Sequence, residues 1–188
     1  SSICRACDAG TIVRYASGAW TRDDVPTNLD LHGIWASGPT DIYVSGLQGT
    51  LLHFTGSQWQ VVSIPTTQDL YGLWVASDGT LFVSGTGGKV WRKHAGSWQE
   101  FTLASGERFR SLCGYSPADV YAGGSNGFLF RFDGTNWNQV LVFGDPAYDT
   151  EIMDMWGPGP GKVAFVDRFN LLWFVGTDWQ PTNVLGEN

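Results

Sequence analysis

The sequence predicts an all-β chain, a β-propeller built of four-stranded antiparallel blades. Two tryptophan series and one set of aligned apolar runs carry that reading. Trp20, Trp59, Trp98, Trp137 and Trp179 are spaced 39, 39, 39 and 42 residues apart. Trp35, Trp74, Cys113 and Trp156 are spaced 39, 39 and 43 apart. Two aromatic series with one period mark an internal repeat, and a period near 40 is that of a propeller blade.

The stretches between the tryptophans align as well. The first run of each unit is apolar: LHGIW, LYGLW, FRSLC and IMDMW. The second reads SICRA, DIYVS, TLFVS, DVYAG and KVAFV, and the third TIVRY, TLLHF, KVWRK, FLFRF and LLWFV. A Gly-containing turn then leads to the first-series Trp, which opens the fourth run. Runs of about five residues, rich in β-branched and aromatic side chains and bounded by Gly, Ser, Asp and Pro, are strands joined by hairpins. Neighbouring positions such as Leu51 and Leu52, or Phe128, Leu129 and Phe130, are all apolar. A sheet with one wet face should alternate, whereas a blade stacked between two others should be apolar on both faces.

The single propeller domain, 1–188, divides into units 1–27, 28–65, 66–104, 105–149 and 150–188. The first unit lacks its innermost strand. Thr182 to Gly186 could supply it and close a ring of about five blades, the arrangement expected here; the alternative is a segment of a larger propeller continued by another chain. The five first-series Trp rings are expected on equivalent fourth strands, largely buried.

The motif L-x-G-[IV]-W, S-x-x-D-[IV]-Y-x-x-G, G-x-[IL]-x-[RH]-[FY], G-x-x-W is carried by Leu31, Gly33, Ile34, Trp35, Asp41, Ile42, Tyr43, Gly46, Gly49, Leu51, His53, Phe54, Gly56 and Trp59. It recurs from Ser116 through Asp119, Tyr121 and Arg131 to Trp137. Nearly the whole chain thereby resembles the Trp-rich propeller repeats of secreted bacterial proteins. That resemblance implies an exported, non-enzymatic recognition domain, extracellular or at the cell surface and often part of a longer protein. DGTNW at Asp133–Trp137 is distantly similar to the sialidase Asp-box but lacks its leading Ser and one residue, so no sialidase site is carried over.

Composition narrows function. A net charge of −7 and a pI near 4.7 argue against nucleic acid, whose phosphates need a basic surface. No run of 18 apolar residues is present, so no membrane insertion is expected. Cys4 and Cys7 form a lone CxxC on an extended strand, facing opposite sides at about 10 Å, and read as two small buried thiols, while Cys113 departs from the family pattern by standing in a Trp column. The three histidines sit at no metal-ligand spacing, and no GxSxG, P-loop or HExxH occurs. GTGGK at Gly85–Lys89 is a hairpin turn rather than a phosphate loop. No catalytic residue, cofactor or metal is expected; calcium in the Asp-rich loops is the one ion the sequence leaves room for.

Two sets of residues are candidates for ligand binding. Arg14, His53, Arg92 and Arg131 share one position of the third strand, with Phe174 in the last unit. They either pack between blades with their heads at the rim or form repeated anion pockets. The connections between the fourth and next first strand, and between second and third, lie on one face, which gathers most acidic residues, among them Asp69, Asp145 and Asp149. The carboxylate pairs Asp23/Asp24 and Asp149/Glu151 read as solvated loop charges. A protein-interaction module in a larger assembly is the favoured function; a multivalent lectin, binding glycans through exposed aromatics, is the alternative.

Overall fold

A computed structural model describes residues 3–7, 9–16, 18–142, 151–167, 171–175 and 178–181. They form five antiparallel sheets in chain order, each with its strands in sequential order. The first sheet has three strands, β1 (Ile3–Cys7), β2 (Thr11–Ala16) and β3 (Ala19–Asp23). The second comprises β4 (Leu31–Gly38), β5 (Asp41–Gly46), β6 (Leu51–Phe54) and β7 (Trp59–Val61). The third comprises β8 (Leu70–Val75), β9 (Leu81–Gly85), β10 (Lys89–His94) and β11 (Ser97–Thr102). The fourth comprises β12 (Phe109–Ser116), β13 (Asp119–Gly124), β14 (Phe128–Phe132) and β15 (Trp137–Val142). The fifth comprises β16 (Asp154–Gly159), β17 (Lys162–Val166), β18 (Leu171–Val175) and β19 (Asp178–Pro181). The helical content of the described residues is two single 3-10 turns, Leu47–Gly49 and Ser125–Gly127.

The inner strands pack in succession, β4 on β8, β8 on β12 and β12 on β16. In the first sheet β1 touches β4 as β5 touches β8, so β1–β3 hold the second to fourth strand positions of a blade, and no innermost strand pairs with β1 among the described residues. No comparable contact joins the first and last sheets among the described residues. Thr182–Gly186, the expected closing strand, lies outside the described residues, as do the side chains of Cys4, Cys7 and Trp179.

The core is four apolar layers, one between each pair of consecutive sheets. Ile12 meets Leu52, Phe54 and Trp59; Leu51 meets Leu70, Leu73 and Trp91. Phe82 and Val90 meet Phe109, Phe130 and Phe132, and Leu129 meets Ile152, Met155 and Phe165. Leu51 and Leu52 thus serve opposite layers, which is why the strands are apolar on both faces.

The turns between second and third strands repeat as well. Gly10, Gly49, Gly88 and Gly127 all have φ between +64° and +72°. At Gly49 and Gly88 glycine is required twice over: an added Cβ would lie 2.3 Å from Thr66 O and 1.8 Å from Ala104 O. These contacts press each turn against the connection leading into the next sheet.

Three expectations need correcting. The first-series tryptophans do open or lie in the outermost strands, but Trp20 is 56% exposed whereas Trp59 is buried. The rings of Trp59, Trp98 and Trp137 lie against the preceding sheet, and among the described residues no sheet is packed in that position for Trp20. Asp23 and Glu151 are not solvated loop charges: their side chains are 8% and 5% exposed, each held by arginine. Burial at a sheet junction makes them structural ion-pair partners.

Candidate functional site

The basic column of the third strands is placed at the sheet junctions and paired within the fold. Arg14 Nη2 donates to Asp23 Oδ1 at 2.8 Å, and its guanidinium lies 4.6 Å from the Phe54 ring centroid of the next sheet. His53 Nε2 is 2.6 Å from Asp41 Oδ1, with its ring stacked on Tyr43 at 4.0 Å. Arg131 Nε donates to Asp119 Oδ1 at 2.7 Å over the ring of Tyr121. That bond, the largest influence, keeps Arg131 more firmly charged than an ordinary arginine.

Arg92 differs. Thr80 stands where Asp41 and Asp119 stand in their units, and Phe101 stands where Asp23 does. Arg92 lies over the rings of Phe132 and Phe82 at 5.5 and 6.0 Å, and its Nε is buried with no hydrogen-bond partner. The indole N–H groups follow the same substitution. Trp59 Nε1 donates to Asp23 Oδ2 at 2.9 Å and Trp98 Nε1 to Ser63 O at 2.8 Å. Trp137 Nε1, beside Phe101, is buried without an acceptor.

The acidic loop face is likewise engaged. Asp69 Oδ1 accepts from the Gln48 N–H at 3.0 Å, and Asp30 Oδ1 from that of Ala9 at 2.8 Å. Both donors sit at positive φ in the turn of the preceding sheet. Asp145 and Asp149 lie outside the described residues. Asp133 of the Asp-box-like DGTNW pins its own turn, accepting from the N–H groups of Thr135 and Asn136 at 2.9 and 2.7 Å.

A different set of residues gathers around a cavity. The four inner strands β4, β8, β12 and β16 line an axial hollow of about 590 Å³. His32, Tyr71 and Arg110 each follow the buried residue that opens a first strand, and Met153 follows buried Ile152 just ahead of β16, so the second to fifth units each place this position on the wall. His32 stacks on Tyr71 with centroids 4.5 Å apart and planes 4° from parallel. Its Nδ1–H donates to Leu70 O at 3.1 Å, since a carbonyl can only accept, which leaves Nε2 for a ligand. The guanidinium carbons of Arg110 and Arg108 lie 5.5 and 5.7 Å from the Tyr71 centroid. Both arginines donate to Glu151 Oε1, Arg110 Nε at 2.6 Å and Arg108 Nη2 at 2.7 Å. Burial alone would push the Glu151 carboxyl up, but these bonds outweigh it and hold it below the ordinary glutamate range. Arg110 stands on the cavity wall and Arg108 beside it, and the two guanidiniums share one carboxylate. Asp154, also on the cavity wall, accepts from Ser111 Oγ at 3.1 Å and the Met155 N–H at 2.8 Å.

Reading of the sequence missed this wall. Its signal was available: a position of fixed phase, one residue after Leu31, Leu70 and Phe109, where chemistry varies while the framework repeats. The four side chains look scattered along the chain because they stand in different units. Among the described residues no group of three or more His, Cys, Asp or Glu is arranged to hold a metal ion. No helix among them is long and apolar enough to cross a membrane.

No protein-family model matches the sequence, and no curated protein matches it. Solved structures do resemble the fold. YCF48 bound to D1 peptide aligns with TM-score 0.64 and 16% identity over 92% of this chain and 60% of that one. The β-propeller domain of Cps50 (Swd1) from Myceliophteria thermophila gives 0.70 and 12%, over 96% and 68%. The extracellular domain of the putative hybrid two component system BT4673 from B. thetaiotaomicron gives 0.75 and 16%, over 96% and 26%. The chain therefore spans from a quarter to about two thirds of these proteins' own lengths. At such identities the likeness speaks for fold alone: the chain is an all-β propeller of blade-like antiparallel sheets.

Proposed function

We propose that the chain is a non-enzymatic recognition module that acts outside the cell and holds an acidic segment of a partner protein over the axial cavity. The observation that carries this reading is the wall of His32, Tyr71 and Arg110, built from three consecutive inner strands and fixed by Glu151. A peptide acid would meet Arg108 and Arg110, and its N–H groups would meet Asp154 and His32 Nε2. Stacked rings and paired guanidiniums are preorganised, so little side-chain entropy is lost on binding. The resemblance to Trp-rich repeats of secreted proteins and the extracellular BT4673 neighbour support the location; the peptide-carrying YCF48 neighbour supports the partner class. The lectin reading needs exposed aromatics that converge. Trp20, Tyr115 and Trp156 are exposed but stand on three different sheets.

A random peptide library displayed on phage and panned on the purified chain tests this. Enriched peptides should contain Asp or Glu and lose about tenfold in affinity, about 1.4 kcal/mol, on Arg110→Ala or Tyr71→Ala. Circular dichroism must show that both variants keep the fold. An empty selection, or repeated weak hits on a glycan array instead, would overturn the peptide reading and favour the lectin.

A further inference from the structure

We propose that the notch between the third and fourth sheets, where Arg92 and Trp137 meet, binds a single carboxylate group from outside the fold. The same arrangement occurs once within the molecule with its carboxylate supplied by the chain. At the junction of the first two sheets Asp23 bridges two donors, Arg14 Nη2 at 2.8 Å and Trp59 Nε1 at 2.9 Å. Arg14 lies over the Phe54 ring at 4.6 Å, and that ring meets Trp59 at 5.3 Å with planes 42° apart. Two units later the frame repeats. Arg92 lies over Phe132 at 5.5 Å, and Phe132 meets Trp137 at 5.2 Å with planes 41° apart. Guanidinium, apolar ring and indole stand in the same order at both junctions; what differs is the acceptor.

Phe101 stands at the position of Asp23. Thr80, at the position of Asp41 and Asp119, is hydrogen-bonded to the His94 ring at 2.9 Å. Arg92 Nε and Trp137 Nε1 are therefore both buried without an acceptor. A buried donor left unpaired costs more than an ordinary hydrogen bond contributes, so two at one junction favour an acceptor that reaches both. The other described members of these columns are engaged: His53 by Asp41, Arg131 by Asp119, and Trp98 Nε1 by Ser63 O. A water molecule would answer the N–H groups but not the guanidinium charge. A carboxylate answers both, with one oxygen for each donor, as Asp23 does for Arg14 and Trp59. Arg92 and Trp137 are only partly buried as whole residues, so the notch is approached from the outer rim. Phe101, partly exposed on the outermost strand β11, is the ring that must turn aside. Two sources present this group: the Asp or Glu side chain of a partner protein, and a small free carboxylate. The notch does not involve the axial wall, so it stands or falls independently of peptide binding there.

The test is an NMR titration of the full chain with sodium formate, with sodium chloride as the matched salt. Trp137→Phe assigns the indole signal and Arg92→Met the guanidinium signal, and circular dichroism checks that both variants keep the fold. The Trp137 Nε1–H and Arg92 Nε–H signals should shift with formate along one curve and far less with chloride. Its midpoint should lie in the millimolar range, as suits so small a ligand. The Trp59 indole, already held by Asp23, should not move. Arg92→Met should abolish the Trp137 shift, and Trp137→Phe should weaken formate binding at Arg92 about tenfold. Thr80→Asp, which offers Arg92 a carboxylate from within, should weaken it at least as much. A blocked glycyl-glutamyl-glycine peptide separates the two sources. Shifts like those of formate assign the notch to a partner's side chain; formate binding without them assigns it to a free small carboxylate. Equal shifts with chloride and formate, no shift at Trp137, or a Trp137 shift that survives Arg92→Met would overturn the proposal.

Discussion

Asp23 joins the first two sheets by buried side-chain contacts, and Asp23→Ala measures what those contacts contribute. Its carboxylate accepts from Arg14 at 2.8 Å and from the Trp59 indole at 2.9 Å. The indole is buried, so losing its acceptor costs about 1–2 kcal/mol. The Arg14 side chain is 27% exposed, so water recovers much of its loss, and about 1 kcal/mol remains. The sum, about 2–3 kcal/mol, corresponds to a fall in melting temperature of roughly 4–12 °C for a domain of this size. Urea unfolding followed by tryptophan fluorescence and calorimetry should both report it. Arg92→Met is the internal control. Arg92 has no carboxylate and a buried, unpartnered Nε, so its replacement by an apolar stem should change stability by less than about 0.5 kcal/mol. Arg14→Met should cost clearly more. A negligible effect of Asp23→Ala, or equal losses at Arg14 and Arg92, would refute the pairing argument.

Thr80→Asp places a carboxylate where Asp41 and Asp119 stand in their units, and should raise stability by about 1 kcal/mol by pairing with Arg92, read by chemical denaturation; destabilisation typical of a lone buried charge would count against it. The Glu151 carboxyl is held below its ordinary value, so its stabilising effect is present above the unfolded glutamate range, near pH 4.3 (about), and is lost as pH falls through the folded value. Glu151→Gln should therefore be less stable than the unaltered chain at neutral pH, with the gap closing in acid; a gap that is constant with pH would contradict this. Burial, with smaller contributions from Asp154 and Asp119, pushes the Cys113 thiol up to about 12, so it should resist alkylation at pH 8 (about) in the folded chain and react promptly in denaturant, as mass spectrometry would show.

Much of the architecture could be read from the residues because it depends on period alone. The Trp spacing locates the sheets, and the apolar pair Leu51–Leu52 announces a blade covered on both sides. Burial of an individual Trp was less legible. Trp20 and Trp59 occupy the same repeat position, yet one is exposed and the other buried, because burial depends on whether a sheet packs beside it. The basic column was visible, but its partners come from two different strands: Asp23 on β3, and Asp41 or Asp119 at the start of β5 or β13. Only their spatial convergence shows that Thr80 and Phe101 together leave Arg92 without a carboxylate. Glu151 was obscured by an insertion. It belongs to the position of Asp30 and Asp69, but the last unit is displaced by four extra residues, 43 instead of 39.

The most direct test of the axial site is hydrogen exchange of the chain with and without an enriched acidic peptide. Local protection reports which segments a ligand covers. Protection should concentrate in residues 31–35, 70–73 and 109–112, where His32, Tyr71, Arg108 and Arg110 lie in or beside the inner strands. Protection confined to the outer strands carrying Trp59, Trp98 and Trp137, with the inner strands unchanged, would contradict the account.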